Sequence, residues 1–205
     1  MANCFAIEDL IPVVDPTAHV HPTAVLIGDV IVGPCCYVGP AACLRGDFGR
    51  ITLCEGSNVQ DTCVMHGFAG GDAIIEPDGH IGHGAVIHGA HIGRNALVGM
   101  NAVVMDNVVV GDSTIVGAMS FVPDGTIIPP RSLAVGAPVR VIRELTDEEI
   151  TWKMSGTLEY QRLVERSLKS HRPVEPLIAP QPDRPRFSGG GSTTLRRARA
   201  GGVDE

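Results

Sequence analysis

The sequence predicts an all-β fold, a solenoid built from a short repeat, with a helix after it. Large aliphatic residues recur at every sixth position in one unbroken phase: Val14, Val20, Leu26, Val32, Val38 and Leu44. Aromatic residues make up only 4% of the chain, which has 25 glycines and 15 prolines, so small aliphatic layers rather than large rings must fill the core. These observations favour a β-solenoid over a helical bundle.

Each repeat has a second apolar position, four residues after the first. A smaller residue stands there in the first five repeats: Ala18, Ala24, Val30, Cys36 and Ala42. After a shift the six-residue phase resumes at Leu53, and it returns later between Ile92 and Ile128. Neither the 3.6-residue period of a helix nor the two-residue period of a strand gives this spacing. One hexad therefore forms one short flat face, with glycine, asparagine or aspartate at its corner.

The segments "VGPCCYVGPAAC" and "VVVGDSTIVGAM" resemble the hexapeptide-repeat family. The resemblance implies a left-handed parallel β-helix of triangular cross-section, in which three hexads make one coil. This handedness is an exception to the usual right-handed crossover between parallel strands. The repeat covers residues 10–132, and we assign residues 1–145 to the β-helix domain.

The period changes after residue 145. Thr146 and Glu149 form a capping box at the start of a helix or helix pair over residues 146–170. An interrupted apolar stripe follows: Ile150, Met154, Leu158, Leu163 and Leu168. We expect this segment to pack along the solenoid and to cover an open edge. Residues 171–205 have too little apolar content to fold and are expected to be disordered.

Charge and composition exclude several classes of partner. The formal net charge is -7, although the tail after residue 170 holds six arginines against four acids, so the body is more acidic than the whole. Neither nucleic acid nor an anionic membrane should be attracted to it. The six cysteines show no C-x-x-C spacing and are expected to be small buried hydrophobes. No signal segment or long apolar run is evident, so we expect a cytoplasmic location.

Four histidines lie within the twelve residues "HIGHGAVIHGAH". His88 directly follows Ile87, and His66 directly follows the inward-facing Met65, so both histidines take the same outward position of a hexad. A protruding loop at "GFAGGDAIIEPDG" would absorb the residues in excess of one coil. The two histidines would then lie on one face, about 4.8 Å apart between neighbouring strands, which is close enough to share a metal ion.

His83 lies five residues before His88 and should point around a corner of the coil, away from that pair. It therefore suits a metal bound to a neighbouring copy of the chain. If each copy gives two histidines to one interface and one to the next, the assembly closes as a homotrimer with three sites. Three imidazoles with an open position indicate a catalytic zinc site, and Fe²⁺ or Co²⁺ would also accept them. His19, His21, His80 and His91 are expected to be solvated corner residues.

The stretches "LRGDFGRI", "NVQDTCVMH" and "GHGAVIHG" resemble the γ-class carbonic anhydrase branch of the hexapeptide family. The resemblance implies that three histidines bind the metal: His66, His83 and His88. It also implies a subunit-bridging pair, Arg45 and Asp47, and a pair beside the metal-bound solvent, Gln60 and Asp61. Gln60 would hydrogen-bond that solvent, and Asp61 would hold Arg45 across the interface.

Two departures from this branch favour a different substrate. Phe48 stands where a glutamate assists proton movement in the carbonic anhydrases, and "GFAGG" replaces their acidic loop. Rapid hydration of CO2 needs a proton relay, whereas an aryl-acyl group would find more room near Phe48 and Phe68.

A longer resemblance, through "DGHIGHGAVIHGAHIGRNALVGMNAVVMDNVVVG" and "WKMSGTLEYQRLV", joins the chain to the phenylacetic-acid degradation hexapeptide proteins, relatives of the carnitine-operon protein. That family implies a thioesterase that hydrolyses aryl-acyl-CoA esters with a metal-bound hydroxide. Tyr160, on the predicted helix, is a weaker candidate for a polar group near the metal.

Three alternatives remain open at this level. The same metal site could hydrate CO2. A hexapeptide acyltransferase would bind acyl-CoA but use one histidine as a general base without metal. A non-catalytic trimeric scaffold would use a fully coordinated metal only to hold its subunits together.

Overall fold

A computed structural model describes residues 3–188, and these form a β-solenoid followed by one helix. The strands occupy Asn3–Phe5 (β1), Val13–Val14 (β2), His19–Val20 (β3), Val25–Val32 (β4), Tyr37–Val38 (β5), Cys43–Leu53 (β6), Asn58–Val59 (β7), Val64–His66 (β8), Ala73–Ile75 (β9), His80–Ile81 (β10), Val86–His88 (β11), His91–Ile92 (β12), Leu97–Val98 (β13), Val103–Val104 (β14), Val109–Val110 (β15), Ile115–Val116 (β16), Phe121–Val122 (β17), Ile127–Ile128 (β18), Ser132–Val135 (β19) and Arg140–Glu144 (β20). The helix α1 spans Asp147–Ser170.

The strands stack coil upon coil in parallel ladders, which confirms the solenoid that the repeat predicts. One sheet runs in the order β3-β5-β7-β10-β13-β16-β19, and β20 closes it by antiparallel pairing with β19. The other strands share a second, larger sheet. Large and small inward residues alternate in a continuous buried core, in which Leu26, Leu44, Met65 and Ile87 are fully enclosed. Because each inward residue stacks on its counterpart in the next coil, the outward residues are aligned as well.

The chain leaves the regular coil at two places. The register of β6 against β4 shifts between Gly28 and Val30 of β4, and residues 47–50 of β6 form the first excursion. The second excursion occupies residues 67–72 and closes on itself through a bridge between Phe68 and Gly71. The expected loop through residue 79 was too long, because β9 already returns to the sheet with Ala73 and Ile75 in buried inward positions.

The C-terminal segment is a single helix, and its predicted start is confirmed. Thr146 is the N-cap, and its hydroxyl oxygen accepts a hydrogen bond from the backbone N–H of Glu149. In return, the Glu149 carboxylate accepts a hydrogen bond from the backbone N–H of Thr146. Arg143 adds two charge-assisted bonds to the Glu149 carboxylate, at 2.7 and 2.8 Å. These contacts attach the beginning of the helix to β20.

The predicted apolar stripe of α1 was wrong in part. Leu158 and Leu168 are exposed, and the side chains that α1 buries are mostly polar: Glu149, Lys153, Thr157 and Val164. The first three lie four residues apart and so share one face of the helix. That face packs along the solenoid, as predicted, where Thr157 meets His80 on β10 and Lys153 meets Asn95.

Lys153 is the central polar anchor of α1. Its Nζ donates to the backbone oxygen of Asp78 at 2.6 Å and to Asn95 Oδ1 at 2.8 Å, which joins the helix to two coils. Gln161 adds a bond from its Nε2 to Asp78 Oδ1 at 2.9 Å. Burial lowers the pKa of Lys153 to about 7, since an ammonium group loses hydration at this contact.

The structure also bears on the predictions for the cysteines and for the C-terminal tail. All six cysteines are free; Cys36 and Cys63 are buried as predicted, whereas Cys4 and Cys35 are exposed. Residues 171–188 contain no helix or strand. The rest of the tail expected to be disordered, residues 189–205, lies outside the described residues, and disorder over 171–205 stays a prediction. Within residues 3–188 no helix is long and apolar enough to cross a lipid bilayer.

The pKa of Lys153 predicts how stability depends on pH. An unfolded chain keeps the usual value of 10.5, so between about pH 7 and pH 10 it binds a proton that the folded chain releases. The free energy of unfolding should therefore rise with pH over this range, and Lys153→Met should remove that part of the rise. Urea unfolding at about pH 7 and pH 9.5, at one protein concentration, measures it. Lys169→Met, an exposed change in the last turn, should leave the slope unaltered.

Candidate metal centre

The structure contains the row of aligned outward-facing residues that the sequence predicts for His66 and His88. Arg45, His66 and His88 are direct partners on the consecutive strands β6, β8 and β11. They align because Leu44, Met65 and Ile87 stack one position earlier in the core. The expected juxtaposition of His66 and His88 on one face, one coil apart, is therefore confirmed.

The two imidazoles face each other. His66 Nδ1 lies 3.0 Å from His88 Nε2, and the ring centroids are 5.0 Å apart. The remaining ring nitrogens are held by carboxylates: His66 Nε2 contacts Asp47 Oδ1 at 3.0 Å, and His88 Nδ1 contacts Asp106 Oδ1. We call His66 and His88, with the two aspartates that hold them, the histidine pair.

Asp47 connects this pair to Arg45. Arg45 Nη1 donates to Asp47 Oδ2 at 2.6 Å. Although desolvation acts to raise it, the hydrogen bonds from Arg45 and His66 lower the pKa of Asp47 below its usual range. The carboxylate therefore stays ionised near neutral pH and can fix the orientation of the His66 ring. Within one protomer the Arg45–Asp47 pair is an internal contact, and its predicted bridging role between subunits stays a prediction.

The histidine pair fits a transition metal as two of its ligands. Zinc binds imidazole nitrogen at about 2.0–2.1 Å, so two tetrahedral ligands lie about 3.3 Å apart, close to the spacing of these nitrogens. Carboxylates on the outer ring nitrogens are the usual supports of metal-binding histidines. Among residues 3–188, however, no three or more His, Cys, Asp or Glu side chains are arranged to hold a metal ion. One protomer thus supplies only part of the predicted ligand set.

Asp106 is a residue of this centre that the sequence reasoning missed. It stands 18 residues after His88, one coil further along, and reaches back to the His88 ring. The one-coil spacing was the available signal, but an aspartate at a corner of the coil looks like an ordinary turn residue.

Two aromatic rings flank the histidine pair. Phe48 is 65% exposed on the first excursion, with its ring centroid 5.6 Å from that of His66. Phe68, on the second excursion, stacks on His88 with centroids 6.4 Å apart and an angle of 12° between the planes. Phe48 therefore has no core-packing role, and both rings give the surroundings of the pair an apolar character.

The third predicted ligand lies at a different place. His83 Nδ1 contacts Asp61 Oδ2 at 2.6 Å, and both side chains are about half exposed. Asp61 shows no contact with Arg45 within the protomer, so its predicted role across an interface stays a prediction. The structure places His83 away from the histidine pair, as the coil geometry predicts.

Gln60 lies with His83 rather than with the histidine pair. Its side chain is buried, and Nε2 donates to Asn58 Oδ1 at 3.0 Å and approaches His80 Nε2 at 2.6 Å. The sequence reasoning did not single out Asn58. It stands two residues before Gln60 and therefore points outward from the same face of the coil.

The expectation that His80 and His19 are solvated was wrong. Both are buried, because α1 covers the sheet on which they lie. His80 Nδ1 lies 3.3 Å from Thr157 Oγ1 on the helix. Burial, assisted by repulsion from Lys153 and His83, lowers the pKa of His80 to about 3, so this imidazole is neutral at physiological pH.

A cleft of about 380 Å³ opens between α1 and the solenoid, beside Gln60 and His83. Its walls are mainly apolar: Leu97, Met100, Ile115, Leu133, Leu145 and Trp152. Tyr160 also lines it and packs against His80 with ring centroids 5.3 Å apart; burial raises the tyrosine pKa to about 12. We call this space the glutamine cleft. Tyr160 thus lies beside Gln60 and does not touch the histidine pair.

The fold and the repeat define the class of this protein, the hexapeptide-repeat left-handed β-helix. The family described as bacterial transferase hexapeptide (six repeats) matches residues 89–124. The crystal structure of the BC4754 gene product of Bacillus cereus superposes with a TM-score of 0.81 at 30% identity, over 82% of this chain and 98% of that one. A hexapeptide transferase family protein of Anaplasma phagocytophilum gives a TM-score of 0.77 at 33% identity, over 80% and 97% of the two chains.

Closer relatives narrow the assignment. The carnitine operon protein CaiE of Citrobacter koseri is 55% identical over 90% of this chain and 94% of its own length. That of Shigella flexneri is 52% identical over 94% of this chain and 98% of its own. The chain therefore belongs to the family of the carnitine operon protein CaiE.

Proposed function

We propose that this protein is a metal-dependent hydrolase of acyl-CoA thioesters, active as a homotrimer with its sites between subunits. One observation carries the proposal. The predicted site residues fall into two groups on separate parts of the protomer: the histidine pair with Arg45 and Asp47, and the glutamine cleft with His83 and Asp61. Each group is an incomplete site, and a rotated second copy would supply the other half.

The donors in this proposal suit zinc, with Fe²⁺ or Co²⁺ as alternatives, because all three are imidazoles. His66 and His88 of one subunit and His83 of its neighbour would hold the ion. A metal bound there would lower the pKa of a water molecule to about 7 and polarise a carbonyl group. Asp47 and Asp106 orient the first two rings, and Asp61 orients the third.

The polar groups of the glutamine cleft have a separate task. Gln60 is held in a fixed direction by Asn58 and His80, so it can orient the attacking water. The apolar walls beside it suit the acyl part of a thioester and exclude competing water. Trp152 and Tyr160 are the aromatic residues that line this space.

The surroundings of the histidine pair favour a thioester over CO2. Phe48 cannot carry a proton, although rapid CO2 hydration requires protons to leave the site. Its exposed ring instead offers an apolar surface for a substrate larger than CO2. CO2 hydration is therefore the second candidate function, because the same metal and water could attack either carbon.

The resemblance to phenylacetic-acid proteins supports an aryl-acyl substrate, whereas the relatives found by comparison are named for carnitine. A quaternary ammonium group would bind the aromatic rings of the cleft by cation–π contacts, and an aryl group would stack on them. Both acyl classes therefore belong in the substrate panel.

The direct test is a thioester hydrolysis assay of the metal-loaded protein. The substrates are phenylacetyl-CoA, a ring-hydroxylated analogue and carnitinyl-CoA. The readout is the loss of thioester absorbance. A thiol reagent that detects released CoA is avoided, because it would also react with the exposed Cys4 and Cys35. We expect hydrolysis that disappears in the metal-free protein and in His88→Ala.

The outcomes separate the alternatives. Activity that survives metal removal would indicate an acyltransferase-type mechanism and contradict the metal-dependent hydrolase. If the metal-loaded trimer leaves every thioester intact, CO2 hydration is tested next. A metal without an open coordination position, and a trimer that dissociates on chelation, would identify a scaffold.

Mixed trimers test whether each site is divided between subunits. His88→Ala damages the histidine pair, and His83→Ala damages the cleft side, so each variant alone should be inactive. When the two variants are unfolded together and reassembled, about a quarter of the interfaces in a random mixture would combine two intact halves. The hydrolysis rate, averaged over all interfaces, should therefore return to about a quarter of the wild-type rate. If His66→Ala is mixed with His88→Ala, no activity should return, since both variants damage the same half.

Asp106 provides a test of how the metal is held. Asp106→Asn should weaken metal binding by about 10- to 100-fold, because the amide cannot hold the His88 ring as the carboxylate does. Competition with a chelator measures the affinity. Glu76→Gln is the matched control: Glu76 contacts His91 Nε2 at 3.0 Å in the same manner, outside both halves of the site, and should leave the affinity unchanged.

A further inference from the structure

We propose that the glutamine cleft is a slot for an extended, uncharged acyl chain of about ten carbons, whose thioester carbonyl lies beside Gln60 and His83 and whose far end points toward Leu133. The inference rests on the proposed function, because it takes the acyl-CoA thioester as the ligand of this cleft. It adds the class of acyl group and the direction in which that group lies.

The floor of the slot is a column of glycines. Gly82, Gly99 and Gly117 line the cleft, and each directly follows an inward residue of the paired strands β10, β13 and β16. The surface above these outward positions is therefore bare backbone. Val135 takes the same position in the next coil, and a Cβ atom added to Gly117 would lie 2.8 Å from Val135 Cγ1. The bare floor thus ends at the coil of β19.

The two walls change from polar to apolar in the same direction. One wall is a column of register partners on successive strands: His80, Leu97, Ile115 and Leu133. The other wall consists of the residues that directly follow the glycines: His83, Met100 and Ala118. In both columns the histidine lies at the end that Gln60 lines, and uncharged, mainly apolar side chains follow it. The slot therefore has a polar end at the proposed reaction site and an apolar body beyond it.

The far end is closed where β20 leads into α1. Leu133 and Leu145 line the cleft there, and Leu145 is buried. Glu149 also lines this end, and its carboxylate accepts two bonds from Arg143, the register partner of Leu133. The charges of the acid and the guanidinium cancel. An uncharged end group of the ligand is therefore favoured at this position, because a charged one would lose hydration without gaining a counter-ion.

Two independent distances give the length of the slot. Three strand spacings separate β10 from β19 along the floor, which amounts to about 14 Å. Along the roof, the helical rise between Glu149 and Tyr160 amounts to about 16 Å. An extended hydrocarbon chain advances about 1.25 Å per carbon, so either distance accommodates about ten carbons or slightly more. A phenylacetyl group can enter the same space but would leave its far part unfilled.

Binding to the metal-free protein tests the slot without any hydrolysis. Trp152 lines the cleft and is the single tryptophan of the chain, so its fluorescence reports on occupation. Straight-chain acyl-CoA thioesters from butanoyl to tetradecanoyl are titrated, with CoA alone as the baseline. Each added carbon should tighten binding by about two- to fourfold up to a limit of about ten carbons, and further carbons should add nothing. An affinity independent of chain length, or one that still rises at tetradecanoyl, would overturn the proposal.

Phenylalanine placed in successive coils tests the direction of the chain. Leu97→Phe narrows the slot at β13, and Ile115→Phe narrows it one coil further from Gln60. One strand spacing equals about four carbons, so the limiting chain length should be about four carbons shorter in Leu97→Phe than in Ile115→Phe. Equal limits, or the reverse order, would contradict the direction.

Leu158→Phe is the matched control for these substitutions. Leu158 is 41% exposed on α1 and does not line the cleft, so this variant should keep the wild-type limit. A general loss of stability would weaken binding of all chain lengths alike and would not reproduce a limit that moves with the substituted coil.

The metal-loaded protein separates this inference from the proposed function. If it binds the series with the expected limit but hydrolyses no thioester, the proposed function fails and the slot is upheld. If it hydrolyses butanoyl-CoA and decanoyl-CoA with equal kcat/KM, the thioesterase is upheld and the slot is wrong.

Discussion

The stacking of inward-facing side chains from coil to coil is the constraint on which the rest of the structure depends. Once Leu44, Met65 and Ile87 lie above one another in the core, the residues that follow them, Arg45, His66 and His88, are aligned on the outside. Strand spacing then sets the separation of the two imidazoles, with no further requirement on the sequence between them. The two excursions interrupt the repeat without disturbing this register, and they place Phe48 and Phe68 beside the histidine pair.

In a triangular coil, residues on one face stack on one another, whereas residues on different faces are held apart. Residues on different faces point in different directions, so the histidine pair and the glutamine cleft cannot meet within one protomer. The proposed division of the site between subunits follows from this geometry. In the proposed assembly, the carboxylates that orient the imidazoles would lie on the two surfaces that meet between neighbouring copies: Asp47 and Asp106 on one, Asp61 on the other.

The helix has a larger part in the site than its amphipathic pattern suggests. Its buried face is mainly polar, and such a face is stable only when its members find partners, as Lys153 does at Asn95 and Thr157 at His80. Satisfied polar contacts specify one docking position more strictly than apolar ones. The helix thereby encloses His80, which lies 2.6 Å from Gln60 at the edge of the glutamine cleft.

The sequence by itself determined the solenoid, the capping box at Thr146 and the stacking of His66 on His88, because each follows from a local spacing that the chain geometry converts directly into position. It also predicted that His83 would point elsewhere. Only the tertiary structure decided that the second excursion ends by residue 72, that α1 buries Lys153 and Thr157 in place of Leu158, and that His80 is enclosed. The physical reason is that burial of a polar side chain depends on partners far away in the sequence: Asp106 reaches back one coil to His88, and Thr157 meets His80 across 77 residues. No local period encodes such contacts.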